Sequence, residues 1–250
     1  MNRTGTAGWS IARQDALNFP GEGSHLQRYA QVMTCAEINT SFYRSHRFEI
    51  YQRWAEQTPM DFRFSVKLPR TVTHDGRLRR ARVPLQRFLA EVAGLGNRLG
   101  VLLVQLPPSL ACEPRPVRNF FRLLHEETPH AAVVVEARHA SWFTASADRL
   151  LAAEHVARAA ADPALCAAAT RPGGWLGDGS GRAVRYYRWH GSPRMYWSAY
   201  SQQWLAERAA AIVAAADDQA ETWCIFDNTA GGQALSNART LQDLIPLRSP

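Results

Sequence analysis

The sequence is nearly without lysine: of its 29 Lys plus Arg residues, 28 are Arg and only Lys67 is Lys. A general preference for Arg accounts for the 28 but not for the one, because a compact, titratable ammonium differs chemically from a guanidinium. Cysteine is scarce as well. Cys35, Cys112, Cys166 and Cys224 lie more than fifty residues apart, which excludes a metal-type pair and a compact disulfide framework. They read as small buried apolar residues of a reducing compartment. No apolar run approaches the roughly 18 residues of a membrane span; Val101 to Leu106 and Ala209 to Ala216 stop far short. Met1 to Gly5 lacks the charged-then-apolar order of a signal peptide, so the expected location is cytoplasmic, with no membrane partner. Nucleophile elbow, P-loop and dinucleotide fingerprint are missing too, and no cofactor is evident.

What is present suits a folded domain with a full core. Hydrophobic residues make up 46% and charged residues 20%, which excludes disorder and fibrous repeats. A net charge of +7 biases the choice of partner toward anions: phosphorylated metabolites, nucleic acid or acidic surfaces.

Short β-branched or aromatic runs recur, each ending in polar residues and each followed by a helical stretch. They are Thr4 to Gly8, Cys35 to Asn39, Arg63 to Lys67, Gly100 to Gln105, Ala132 to Glu136, Val156 to Ala161, Val184 to His190 and Trp223 to Asn228. With the sixth end marked at Asp162, their ends fall 26 to 38 residues apart, about one βα unit each. Helices are expected over Val83 to Leu95, Pro116 to His125, Trp142 to Glu154, Ser201 to Asp217 and Gln233 to Leu244. Residues 163–181, rich in Gly and Pro, read as an irregular excursion. Eight such units predict an α/β fold in one domain over residues 1–250, a single (β/α)8 TIM-like barrel.

In such a barrel the active site lies at the C-terminal ends of the strands. Those ends are polar on seven consecutive strands: Glu37 and Asn39, Lys67, Gln105, Glu136 and Arg138, Asp162, Arg188 and His190, Asp227 and Asn228. Buried carboxylates need partners, and Lys67, Arg138, Arg188 and His190 are the cations at hand.

At these positions the sequence resembles the YecE-like family of unknown function. The matching stretches are Gly5 to Ser10, Ala36 to Arg44, Lys67-Leu68-Pro69 with Thr73-His74, Gln105 to Ser109, Val135 to His139 with Ser141-Trp142, Tyr187 to Gly191, and Phe226 to Thr229 with Ala234 and Asn237-Ala238. The resemblance implies a TIM-like barrel and no specific activity. It also implies a shared pocket lined by Glu37, Asn39, Tyr43, Lys67, His74, Gln105, Glu136, Arg138, Arg188, His190 and Asn228. Asp227 stands where the family usually has Asn, and the segment after Trp9 lacks the usual Tyr-rich pattern.

Three features point to a small anionic ligand. Gly231 and Gly232 precede a helix, where backbone N–H groups can cradle phosphate. Arg138 and Arg188 offer planar donor forks. Arg70, Arg77, Arg79, Arg80, Arg82 and Arg87 crowd the loop and helix start after the third strand. Glu37, Lys67, Glu136 and His190 suffice for general acid/base catalysis of hydrolase, lyase or isomerase type. A glycosidase-like use of Glu37 and Glu136 depends on a separation that sequence leaves open. An oxygen-rich metal site from Glu37, Glu136, Asp162 and His190 is disfavoured by the adjacent cations. The alternative is a nucleic-acid binding or processing module, using the basic loop and the aromatics Trp9, Phe42, Tyr43, Trp142, Trp189 and Trp197.

Overall fold

A computed structural model describes residues 1–177, 183–216 and 220–245. Residues 178–181 of the expected excursion, Asp217 at the end of an expected helix, and the tail 246–250 lie outside the described residues.

The strands are β1 (Asn2–Ala7), β2 (Cys35–Ile38), β3 (Arg63–Lys67), β4 (Leu99–Gln105), β5 (Ala132–Glu136), β6 (Val156–Arg158), β7 (Ala160–Asp162), β8 (Gly173–Gly174), β9 (Ala183–Trp189) and β10 (Ala220–Phe226). All join one sheet, and every ladder is parallel except the two-residue pairing of β6 with β8. The fold is the expected TIM-like barrel, with one irregularity. The single strand expected over Val156 to Ala161 is two pieces: β6 pairs with β5, whereas β7 pairs with β9. The chain changes partner at Ala159, whose N–H still reaches the Val135 carbonyl at 2.9 Å. The barrel therefore closes through a strand whose two halves face different neighbours.

Seven α-helices lie among the described residues: α1 (His25–Ala30), α2 (Phe48–Glu56), α3 (Arg82–Val92), α4 (Pro114–Glu127), α5 (Ala145–Ala153), α6 (Gln202–Ala215) and α7 (Ala234–Leu244). Side-chain caps mark several starts. Ser24 and Gln27 form a reciprocal capping box on α1, and Thr144 and Ser201 accept from Ala147 and Trp204 N–H on α5 and α6. α4 opens two residues earlier than expected because Pro114, having no N–H to lose, suits a first helical turn. Between β7 and β9 a 3-10 turn over Ala167–Thr170 and strand β8 stand where a regular barrel has a helix.

Strand parity sorts the core into two layers. Cys35, Val101, Leu103, Val134, Val184, Tyr186, Trp223 and Ile225 pack together inside the barrel. Their chain neighbours Ala36, Leu102, Val104, Val133, Val135, Cys224 and Phe226 pack in the shell against the helices. Because side chains alternate along a strand, the next inward positions are Glu37, Gln105, Glu136, Arg188 and Asp227. The apolar plug thus ends one layer below the C-terminal mouth, and a polar layer sits on top of it.

Candidate active site

Arg188 is the centre of that layer and is 1% exposed. Its Nε donates to both oxygens of Glu37 (3.1 and 3.0 Å), its Nη2 to Glu37 Oε1 (2.6 Å) and its Nη1 to Glu136 Oε2 (2.9 Å). Nη2 also lies 3.1 Å from Asp227 Oδ2 and donates to Asn39 Oδ1 at 3.3 Å. Three carboxylates from β2, β5 and the end of β10 therefore share one guanidinium. Burying a carboxylate without a partner costs several kcal/mol, and this fork is what makes the trio tolerable. Tyr186, two residues earlier on the same face of β9, donates its hydroxyl to Glu37 Oε2 at 2.8 Å from below.

Glu136 gathers more donors than any other group in the layer. It accepts from Gln105 Nε2 (3.1 Å), from Arg138 Nε (3.1 Å) and Nη2 (2.7 Å), and from Arg188. His190 Nε2 stands 3.0 Å from Glu136 Oε1, and His190 Nδ1 stands 3.0 Å from Asp227 Oδ2. With a carboxylate at each ring nitrogen, the imidazolium form can donate twice. Burial opposes that charge, but Glu136 and the bond to Asp227 outweigh it and raise the His190 pKa. Burial likewise works against the Glu136 charge, yet Arg188, Arg138 and His190 hold its carboxyl well below the usual range. Asp227 is lowered in the same way, against burial, by Arg188 and His190.

These shifts have opposite consequences for stability. The depressed Glu136 and Asp227 contribute stability above the ordinary carboxylate range, about pH 4, and lose it as pH falls through their folded values. The raised His190 contributes fully below about pH 6.5 and loses its share as pH rises through its folded value. The melting temperature should therefore peak on the acid side of neutrality. In His190→Gln the alkaline fall should flatten while the acid fall remains. An alkaline limb identical in the two proteins would show that His190 does not carry the charge.

Lys67 differs from every other charge at the mouth. It is 8% exposed, and among the described residues its ammonium has neither a hydrogen bond nor an ion pair. The nitrogen sits over the Phe42 ring, 4.1 Å from the centroid. Burial, and then the neighbouring Arg188, push its pKa down to about 8 against the pull of Glu37, Glu136 and Asp227. His74 meets the same Phe42 ring edge-on at 4.9 Å, and burial followed by Lys67 and Arg70 lowers its pKa. Tyr43 packs on Phe42 from outside and is 79% exposed.

A family model described as "Protein of unknown function DUF72" matches residues 3–249. The chain belongs to the DUF72 family. Over 118 residues this DUF72 chain is 34% identical to the UPF0759 protein YecE of Escherichia coli K12, covering 47% of the chain and 43% of that protein. It is 26% identical over 151 residues to the UPF0759 protein YunF of Bacillus subtilis, covering 56% of the chain and 51% of YunF. The chain spans about half the length of the curated relatives it matches. In fold it is similar to a DUF72 family protein of Thermotoga maritima, with a TM-score of 0.77 and 24% identity over 98% of both chains. A DUF72 family protein of Enterococcus faecalis gives 0.75 at 20% identity, over 98% of this chain and 97% of that one.

Of the residues singled out in the sequence, the DUF72 barrel brings Glu37, Asn39, Gln105, Glu136, Arg138, Arg188, His190 and Asp227 into one bonded network, with Lys67, His74 and Tyr43 grouped around Phe42 beside it. Asp227, in the position where the resemblance expects Asn, supplies the third carboxylate. Three expectations need correction. Asn228 is wholly buried and spends its amide nitrogen on the Ser198 carbonyl (3.0 Å) and Asn237 Oδ1 (2.9 Å), so it ties the loop to α7, while its Oδ1 has no partner among the described residues. Gly231 and Gly232 form no anion cradle, because their N–H groups already bond the Tyr196 and Thr229 carbonyls at 3.2 and 3.0 Å. Gly231 is there for close approach, since a Cβ would run into the Trp197 carbonyl. The cavity at the start of α7, about 380 Å³, is also faced by the buried Asp15, whose Oδ2 is unpartnered and unsuited to an anion. Asp162 belongs to a separate cluster, where it accepts from the Tyr200 hydroxyl at 2.7 Å.

The arginines of the basic loop are mostly paired, and Arg80 has no ion pair among the described residues. Arg70, Arg79, Arg82 and Arg87 pair with Asp75, Glu113, Glu126, Glu127 and Glu91 on the surface, and Arg77 is spent on Ser109. Among the aromatics, Trp142 and Trp189 are core, whereas Tyr43 and Trp197 are exposed. The natural oxygen ligands for a metal would be Glu37, Glu136 and Asp227, but the Arg188 guanidinium lies between them. Among the described residues, no group of three or more His, Cys, Asp or Glu could hold a metal ion. Sequence reasoning passed over Tyr186 and Ser41. Tyr186 carried a signal, its parity with Arg188. Ser41, whose Oγ donates to the Lys67 carbonyl at 2.7 Å, carried none.

Proposed function

We propose that the DUF72 chain is an enzyme acting on a small phosphate- or carboxylate-bearing substrate at this mouth, by proton-transfer chemistry of hydrolase, lyase or isomerase type. The observation that carries the reading is how charge is layered with depth. Glu37 and Glu136 are sealed against Arg188, while the Arg138 side chain remains 25% exposed and Lys67 stands unpaired at the rim of the cluster. A ligand arriving from solvent thus meets cations first, in a setting of reduced dielectric that strengthens the attraction. Acid/base duty falls to Lys67, whose pKa of about 8 is close to neutral operation. Glu37, Glu136 and His190 are charged or buried partners that position Arg188 and Arg138. Glu136 is disfavoured as the acid of a glycosidase-like pair, because a carboxyl held well below its usual range has no proton to give.

Calorimetric titration with inorganic phosphate and with malonate tests this. Both should bind, and Arg138→Gln should weaken binding by about tenfold to a hundredfold, the worth of one lost charge-assisted bond. Absence of binding, or indifference to Arg138→Gln, removes the reading. A second reading, single-stranded nucleic acid on the rim, is favoured by exposed Tyr43 and by Trp197 with Arg194 4.5 Å above its ring. It would show as oligonucleotide affinity that collapses with added salt, whereas a small-anion site responds modestly.

A further inference from the structure

Among the described residues, the three carboxylates of the mouth layer are all committed to guanidiniums and to His190, and Lys67, which lies beside them, bonds none of them. Glu37 is held by Arg188 and Tyr186, Glu136 by Arg188, Arg138, Gln105 and His190, and Asp227 by Arg188 and His190. An ammonium kept for structural charge would occupy one of these carboxylates; the guanidiniums have filled them instead. We propose that Lys67 is a nucleophile that takes a carbonyl carbon of the substrate into an imine, so that the substrate is an anionic carbonyl compound such as a 2-oxo acid or a phosphorylated ketone. This rests on the small-anion reading and narrows it.

Three features of the geometry support the assignment. The Lys67 backbone is pinned, its carbonyl bonded by Ser41, so the side chain leaves the last position of β3 in a set direction. Its nitrogen rests on Phe42, an apolar surface that offers nothing to bond the amine once it is neutral. Desolvation beside another cation is the recognised way to free a lysine lone pair. With a pKa of about 8, about a tenth of Lys67 is neutral at pH 7, more than a hundredfold above an ordinary lysine. His74, which meets the same Phe42 ring edge-on, bonds Thr73 through Nδ1 at 2.9 Å, and burial followed by Lys67 and Arg70 lowers its pKa and favours the neutral ring, so its other nitrogen can carry protons.

The step balances without a further reagent. The neutral amine gives its lone pair to the carbonyl carbon, the C=O pair moves to oxygen, and one proton passes from nitrogen to that oxygen. The hydroxyl then takes the second nitrogen proton and leaves as water while nitrogen closes the C=N bond. Amine and carbonyl compound become imine and water, with no change of oxidation level. Arg138, across the cluster, is the group placed to hold the phosphate or carboxylate.

The chain has only two primary amines, Lys67 and the exposed Met1 terminus, so it contains its own reference. The intact protein is incubated with pyruvate, dihydroxyacetone phosphate or glycolaldehyde phosphate and cyanoborohydride, and the reduced adducts are mapped by mass spectrometry. Lys67 should be labelled at least about tenfold faster than Met1 by one or more of the three, and not after Lys67→Arg. The labelling rate should rise with a midpoint near pH 8, the value set by burial and by Arg188, Glu37, Glu136 and Asp227 around the amine, with His74 the other titratable group beside it. Labelling of Lys67 no faster than Met1 by all three compounds overturns the proposal, and the wild-type protein alone decides it. Phosphate binding without Lys67 labelling leaves the small-anion reading standing and removes the imine. Equal labelling by neutral acetone keeps the nucleophile and removes the anion reading.

Discussion

Arg188→Met should lower the melting temperature by about 10 °C or more. The guanidinium satisfies Glu37 on both oxygens and reaches Glu136 and Asp227, all at sites closed to water. Removing one partner of a buried ion pair typically costs about 3 to 5 kcal/mol, because the other charge stays behind. In a chain of this length each kcal/mol is worth about 2 to 4 °C. Methionine keeps the apolar stem, so the packing lost is confined to the volume of the guanidinium head. The signature that separates charge from packing is its pH dependence. The orphaned carboxylates must take up protons, so the loss relative to wild type should shrink between about pH 8 and about pH 5. A deficit constant over that range, or a variant as stable as wild type, would show that Arg188 does not hold the mouth together.

Glu136→Gln should lower stability and anion affinity together. The carboxylate accepts from Gln105 and Arg188 on Oε2 and from Arg138 and His190 on Oε1. An amide of the same shape must place its NH2 against one of these two donor pairs, whichever way it is turned. The expected loss is about 2 to 3 kcal/mol, the worth of a charge-assisted bond with its donors left unpaired, or roughly 5 to 10 °C. His190 loses a charged partner, so its ring should titrate at lower pH by NMR. Arg138 loses its only carboxylate among the described residues, and phosphate should bind more weakly because the fork is no longer held. Wild-type stability and affinity with a large fall in turnover of any substrate later found would instead make Glu136 a group that touches substrate, and the clamp would be wrong.

Much of this was readable along the chain because it depends on local order. Ala132 to Glu136 is a β-branched run ending in a charge, and both its limits match the structure. Lys67 stood out by rarity alone. Parity along a strand then carries the argument from Val134 to Glu136 and from Tyr186 to Arg188. Misreadings arose where a residue's fate depends on something distant. Asn228 looked like another strand-end ligand until Asn237 and Ser198 were found to use its amide, and Gly231 looked like a phosphate turn until the Trp197 carbonyl explained its missing side chain. The break at Ala159 had no local sign either, since Val156 to Ala161 is apolar throughout except for Arg158.

By itself the sequence determined the barrel and the set of polar side chains at its mouth. Period-2 and period-3.6 patterns are properties of consecutive residues, and eight repeats of them leave few ways to bury the chain. Only the tertiary structure decided which charges pair. Arg188 lies 151 residues from Glu37 and 52 from Glu136, and the same composition would allow Lys67 to hold either one. Guanidinium wins those carboxylates because its planar fork bonds two or three acceptors at once in a volume closed to water, which an ammonium on a flexible stem cannot match. Lys67 is thereby left unpaired, partly desolvated and titrating near pH 8, a condition that follows from the packing of Arg188, Glu37, Glu136, Asp227 and Phe42 around it and from nothing written next to it.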